Sequence, residues 1–314
     1  MGSSSFAAEN DSPLRRLGDA GADIVPNVLG RRLTEDEIIG HLEGVDGLLA
    51  GLEPLNRHVL ESAPKLKAIA RVGIGMDNVD LEAAEELGIR VSNTPDEPAA
   101  AVAEMTLAAL LSLARGIVVA NSDLHAGRWN KGIGRSIAEL CVLIVGYGRI
   151  GAEVAALLKR FGAKILVADP FVEDSRRIPD YAWVQLDEGL RVVDAVTLHA
   201  NATGVLLSKD QFSLMKDGAL VLNSARGHLI DEDALIDALG TGKIRGAWLD
   251  VFWEEPYHGR LLAHDNVLLT PHISTYTRGC RRTMECAAVE NLLRDLDKAR
   301  EGSREGRIAG RGDQ

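Results

Sequence analysis

One glycine turn constrains this chain more than any other feature. The apolar run Val142-Leu143-Ile144-Val145 leads into Gly146-Tyr147-Gly148-Arg149-Ile150-Gly151, and Ile150, Val154, Leu157, Leu158 and Phe161 follow at helical spacing. Strand, glycine-rich turn and helix in that order open a dinucleotide-binding βαβ unit. The bare G-x-G-x-x-G pattern is weak evidence, because 32 glycines in 314 residues give about 0.3 matches by chance. The flanking strand and helix carry the reading. The first glycine permits the tight turn, the second lets a pyrophosphate approach the backbone, and the third lets helix and strand pack closely. Amides at the helix N-terminus then receive the negative charge. Gly146, Gly148, Arg149, Ile150 and Gly151 are the expected cofactor-binding residues of this turn. The next strand, Lys164 to Ala168, ends at Asp169, where a carboxylate accepts hydrogen bonds from both ribose hydroxyls and repels a 2′-phosphate. NAD is therefore expected over NADP.

Short β-like runs alternate with helical patterns over almost the whole length, which predicts an α/β protein with parallel sheets. Val45 to Ala50, Leu66 to Arg71 and Ile89 to Ser92 read as strands of a small unit, with helices at Pro54 to Ala63 and Leu81 to Leu87. A long apolar helix from Pro98 to about Leu124 is expected to link this unit to a second one. The second unit has six predicted strands, at Leu140 to Val145, Lys164 to Ala168, Ala195 to His199, Ala219 to Asn223, Arg245 to Leu249 and Val267 to Leu269. Six strands suit a doubly wound sheet. Cys280 to Arg300 reads as a final helix, and the polar tail after Glu301 is expected to be mobile.

Composition removes whole classes of function. Thirty-five Lys and Arg against 46 Asp and Glu leave a net charge of -11, and aromatic residues are only 4%. Such a surface repels a phosphate backbone and lacks platforms for stacked bases, so no nucleic-acid partner is expected. Charged or glycine-rich breaks interrupt every apolar run before ~18 residues, and no membrane helix is expected. The start, Met1 to Phe6, has neither the basic region nor the apolar core of a signal sequence, which makes the cytoplasm the default compartment. Cys141, Cys280 and Cys286 form no CxxC pair, and His41, His58, His125, His228, His258 and His264 show no metal-ligand spacing. Packing or surface roles suffice for these residues, and no metal is expected.

Three further segments place charged groups at the C-terminal ends of predicted strands, where open α/β sheets bind their ligands. They are Asn223-Ser224-Ala225-Arg226-Gly227, Asp250-Val251-Phe252-Trp253-Glu254-Glu255-Pro256 and Thr270-Pro271-His272-Ile273-Ser274. Singly, each reads as a turn, a helix end or a surface charge. Together with the glycine turn, and with Arg71-Val72-Gly73-Ile74-Gly75-Met76-Asp77-Asn78-Val79-Asp80, Asn93-Thr94-Pro95 and Ala101-Val102-Ala103-Glu104, they occur in one order. In that order the chain resembles the D-isomer-specific 2-hydroxyacid dehydrogenases, over roughly Leu66 to Leu293, most closely the phosphoglycerate dehydrogenase-like branch.

The chemistry explains the residue types. Oxidising a 2-hydroxy acid requires a base for the hydroxyl proton, a cation for the carboxylate and developing oxyanion, and a nicotinamide to accept hydride. His272 is the natural base, and Glu255 would hold its other ring nitrogen. Arg226 would place a planar guanidinium against the carboxylate and the reacting oxygen. The resemblance further implies a Rossmann-type nucleotide domain, residues 97–279, inserted in a smaller flavodoxin-like substrate domain, residues 1–96 and 280–314. It also implies an active site in a cleft between the domains and a homodimer formed through the nucleotide domains. Within the site it puts the substrate carboxylate on amides of Gly73, Ile74 and Gly75, with Ala225 beside the cofactor and Asp250 near the nicotinamide carboxamide. His199 matches a family position near the cofactor, yet a core histidine explains it equally well.

The pattern departs from the family in three places. Residues 1–12 lack an apolar first strand, and Ser136 to Leu143 lack the usual Gly-Lys-Thr turn. The loop His199-Ala200-Asn201-Ala202-Thr203-Gly204 is shorter than usual by about three residues. No regulatory domain is expected after the last helix. The expected activity is NAD-dependent interconversion of a small D-2-hydroxy acid and its 2-keto acid, phosphoglycerate dehydrogenase-like, with glyoxylate or hydroxypyruvate reduction as the alternative. From other classes, an NAD-sensing corepressor-like binding protein and a formate or phosphite dehydrogenase compete with it.

Overall fold

The computed structural model describes residues 1–3 and 5–309. Three short parallel strands, β1 (Gly47–Ala50), β2 (Ala68–Arg71) and β3 (Arg90–Ser92), form one sheet in that order. They keep the C-terminal parts of the expected runs, because Val45 and Leu66 are taken up by the turns that end the preceding helices. No strand precedes β1 among the described residues. Gly2 reaches the sheet, donating its amide to Leu49 O at 3.0 Å. The helix Arg278–Ala309 packs across this sheet. It runs past Glu301, where the sequence suggested a loose tail, and Gly310 to Gln314 lie outside the described residues.

The larger sheet contains seven parallel strands. They are β4 (Cys141–Val145), β5 (Lys164–Ala168), β6 (Ala182–Trp183), β7 (Ala195–Leu198), β8 (Ala219–Asn223), β9 (Ile244–Leu249) and β10 (Val267–Leu269), in the order β10-β9-β8-β7-β4-β5-β6. The two-residue edge strand β6 was missed in the sequence because it is too short to show a period. Successive residues feed opposite faces: Leu143 and Val145 join one core cluster, Val142 and Ile144 the other. Leu166 and Val167 divide in the same way, as do Leu249 and Trp248. With both faces covered, the strands read as continuous apolar runs, as a buried parallel sheet requires. Strand order reverses at β4, whose neighbours are β5 and β7. Ligands of doubly wound sheets bind outside the carboxyl ends of the strands at such a point.

By its contacts the chain divides into two units, Met1–Pro98 with Thr277–Gln314, and Ala99–Tyr276. The apolar stretch after Pro98 lies wholly in the second unit and is two helices, not one. Ala99–Arg115 packs on Arg149–Arg160 and on β8 and β9, burying Val102, Thr106 and Leu110. Gly116 then takes φ 63, a left-handed conformation that glycine adopts at little cost, and the chain bends by 61°. The second helix, Ile117–His125, buries none of its residues. No single described helix is long and apolar enough to cross a bilayer.

Candidate active site

Each glycine of the turn after β4 has a separate steric reason. Gly146 has φ +90, and a Cβ there would meet Ala200 N at 2.6 Å and Ala200 Cα at 2.7 Å, so the chain just after β7 lies directly against it. Gly148 has nothing within 4 Å of where a Cβ would stand, which leaves its face open to an approaching ligand. A side chain on Gly151 would run into the Gly146 carbonyl and Ile144, so only glycine lets the helix Arg149–Arg160 seat on β4. Arg149 is exposed at the first position of that helix, and Ile150 packs partly into the core.

Asp169 follows β5 and is half-buried. Its Oδ2 accepts from Tyr147 N at 2.7 Å and its Oδ1 from Phe171 N at 2.9 Å. The carboxylate is thus fixed beside the glycine turn by two amides, with one lone pair of each oxygen still able to accept a hydroxyl. An open second glycine, a helix N-terminus and a fixed carboxylate fit a dinucleotide.

Arg226 is carried by a turn after β8 that Asn223 shapes. The Asn223 side chain accepts from Ala225 N at 3.0 Å and donates to Arg226 O at 2.8 Å. Arg226 Nη1 in turn donates to Ala225 O at 2.7 Å, so both peptide groups of Ala225 serve this turn. Gly227 lies flat on the backbone of Phe252 and Trp253, where any Cβ would overlap it. This contact joins the arginine loop to the loop that carries Glu255.

His272 and Glu255 come together: His272 Nδ1 lies 2.9 Å from Glu255 Oε2. A carboxylate only accepts, so Nδ1 carries the hydrogen and Nε2 is left for proton exchange. Glu255 Oε1 accepts from Phe252 N at 3.1 Å, which aims the carboxylate at the ring. His272 itself sits at φ 55, an uncommon conformation for a residue with a side chain. Asp250 holds it there. Its Oδ1 accepts from Thr270 Oγ1 at 2.6 Å and Ile273 N at 2.9 Å, and its Oδ2 from Ser274 N at 2.9 Å and Ser274 Oγ at 2.5 Å. Asp250 is only 1% exposed, so these four donors satisfy a buried charge and the carboxylate serves the His272 loop. Trp248 Nε1 completes the chain by donating to Thr270 Oγ1 at 3.0 Å. Asn223, Thr270 and Ser274 stand inside the motifs read from the sequence, but nothing in a motif shows which way a side chain turns.

His199 directly follows β7 with its Nε2 2.9 Å from Thr197 Oγ1, and burial pushes its pKa down to about 3. The ring is neutral at working pH. In the first unit, the loop of Gly73, Ile74 and Gly75 follows β2. Gly73 has φ +143 and donates its amide to Thr94 Oγ1 at 2.8 Å, while Asn93 Nδ2 donates to Ile74 O at 2.7 Å. No group of three or more His, Cys, Asp or Glu suited to a metal occurs among the described residues.

Residues 107–274 match the family model described as D-isomer specific 2-hydroxyacid dehydrogenase, NAD binding domain. The chain belongs to this family. The matched residues are the family's NAD-binding domain, so the chain is an NAD-dependent D-2-hydroxyacid dehydrogenase. A hydroxypyruvate reductase of Thermotoga maritima is 35% identical, with 86% of this chain and 90% of that one aligned. A D-3-phosphoglycerate dehydrogenase of Methanocaldococcus jannaschii is 38% identical over 84% of this chain and 52% of its own. The chain therefore spans about half the length of that relative. The solved D-lactate dehydrogenase of Aquifex aeolicus, complexed with NAD and lactic acid, is similar at TM-score 0.78 and 27% identity, covering 96% of this chain and 95% of that one. Within this dehydrogenase the glycine turn and Asp169 are the residues whose geometry suits NAD. An Asp169→Ala variant is expected to bind NADH about tenfold more weakly and to narrow the preference over NADPH, read as KM for each cofactor.

Proposed function

We propose that this dehydrogenase reduces a small unphosphorylated 2-keto acid of the hydroxypyruvate or glyoxylate kind with NADH. The observation that carries the reading is the His272–Glu255 pair at 2.9 Å, held on the same unit as Arg226 and the cofactor turn. When bound, NADH supplies the hydride. His272 protonates the carbonyl oxygen from Nε2, and Glu255 keeps the ring oriented and stabilises its cationic form. Arg226 sets its guanidinium against the carboxylate and the oxygen that gains charge.

Two facts favour an unphosphorylated substrate. The loop Gly73 to Asp80, which the family resemblance gives to the substrate carboxylate, contains no Lys or Arg. A hydroxypyruvate reductase and a glyoxylate reductase, both acting on unphosphorylated keto acids by name, are each 35% identical to the chain. The deciding experiment is a panel of glyoxylate, hydroxypyruvate, pyruvate and phosphohydroxypyruvate, with formate and phosphite in the oxidising direction. Hydroxypyruvate or glyoxylate should give the highest kcat/KM. Preference for phosphohydroxypyruvate would replace this reading with the phosphoglycerate one, and turnover of formate or phosphite alone would end both.

A homodimer accompanies this reading. Ile117, Val119 and Leu124 of the helix that buries nothing are 53%, 47% and 57% exposed, and Trp129 and Ile133 in the following arm are 78% and 98% exposed. So much apolar surface along one segment supports contact with a second copy. Sedimentation should give about twice the 33.7 kDa chain mass, and Ile133→Glu should shift it toward one chain. A wild-type monomer at micromolar concentration would contradict the proposal.

A further inference from the structure

We propose that His228 is a positioning residue for the cofactor: it pins the loop after β7 between the glycine turn and the arginine loop. The first limb of that loop starts at the cofactor turn, with His199 N donating to Val145 O at 2.7 Å and Ala200 lying against Gly146. The returning limb is tied to the segment after Arg226 by backbone alone. Leu206 N and Leu207 N donate to Leu229 O at 2.8 and 3.0 Å, and Asp231 N donates to Leu207 O at 3.0 Å. Between these anchors, Asn201, Thr203, Gly204 and Val205 are exposed.

The tie reaching this exposed stretch from the arginine loop is a side chain. His228 Nε2 lies 2.8 Å from Ala202 O, and a carbonyl oxygen only accepts, so Nε2 is the donor. The ring is itself held, edge-on to Trp253 with centroids 6.0 Å apart, while Trp253 Nε1 donates to Ile230 O at 2.9 Å. A half-buried donor on a fixed ring thus sets the height of the loop tip. Since the other end of the loop touches Gly146, freeing the tip loosens one wall of the dinucleotide site.

This inference rests on NAD binding at the glycine turn, and its test separates the two. NADH binding is followed by calorimetry in wild type, His228→Phe and His228→Gln, with hydrogen exchange of the amides at 201–205 and steady-state kinetics beside it. Phe keeps the contact with Trp253 and loses the donor; Gln can restore one. His228→Phe should raise both the NADH Kd and the KM for NADH by about five- to tenfold. Its kcat and keto-acid KM should stay within about twofold, and exchange at 201–205 should quicken. His228→Gln should recover most of the affinity. Wild-type affinity and exchange in the Phe variant, or a Gln variant no better than Phe, overturns the proposal while leaving the cofactor site intact. Wild-type protein that binds no NADH overturns both.

Discussion

His272→Ala is expected to lower kcat for keto-acid reduction by about 10²–10⁴-fold while NADH affinity stays within about twofold. The argument is geometric. Glu255 occupies Nδ1, which leaves Nε2 as the proton donor, and the described neighbours that shape the loop (Thr270, Ile273, Ser274) offer no replacement acid. Loss of the ring removes the proton transfer and leaves the cofactor turn, a separate loop of the same unit, untouched. His272 stands at φ 55, where alanine is less at ease than histidine, so His272→Asn is the matching variant: asparagine tolerates that conformation and carries no working acid. Both variants should be equally slow. Wild-type turnover in either would remove His272 from the mechanism.

The second large effect is expected at Arg226. Arg226→Ala should cut kcat/KM by about 10³-fold, because on the proposed mechanism it removes the cation set against both the substrate carboxylate and the developing oxyanion. Arg226→Lys should recover little of this. The guanidinium is held by its bond to Ala225 O on a turn that Asn223 builds, and a single ammonium cannot keep that bond and present a planar pair of donors as well. Saturation curves decide between roles. A rise in KM with kcat unchanged would restrict Arg226 to carboxylate binding; unaltered kinetics would exclude it from the site.

Much of this was legible in the sequence because the larger sheet is buried on both faces. Its strands are apolar runs with clear ends, and the residues that matter follow those ends, as Asp169, Arg226, Asp250 and His272 do. What stayed hidden was of two kinds. Local strength was one: the expected helix Pro98 to Leu124 breaks at Gly116, since an apolar run gives no warning that its second half will find nothing to pack on. Side-chain direction was the other. For Asp250, expected near the nicotinamide carboxamide, no motif shows that its oxygens accept from Thr270, Ile273 and Ser274. The same holds for His228, an unremarkable histidine in the sequence whose contact with Ala202 depends on how two distant loops return.

Gly227 has a wider consequence. Because it lies on the backbone of Phe252 and Trp253, the guanidinium of Arg226 and the carboxylate of Glu255 are mounted on one shared wall. An insertion in either loop would displace both groups at once, so chains built this way cannot retune acid strength and anion recognition separately. Divergence toward new substrates must then be carried by segments that do not touch this wall, and the proton-transfer apparatus travels through such changes as a single inherited part.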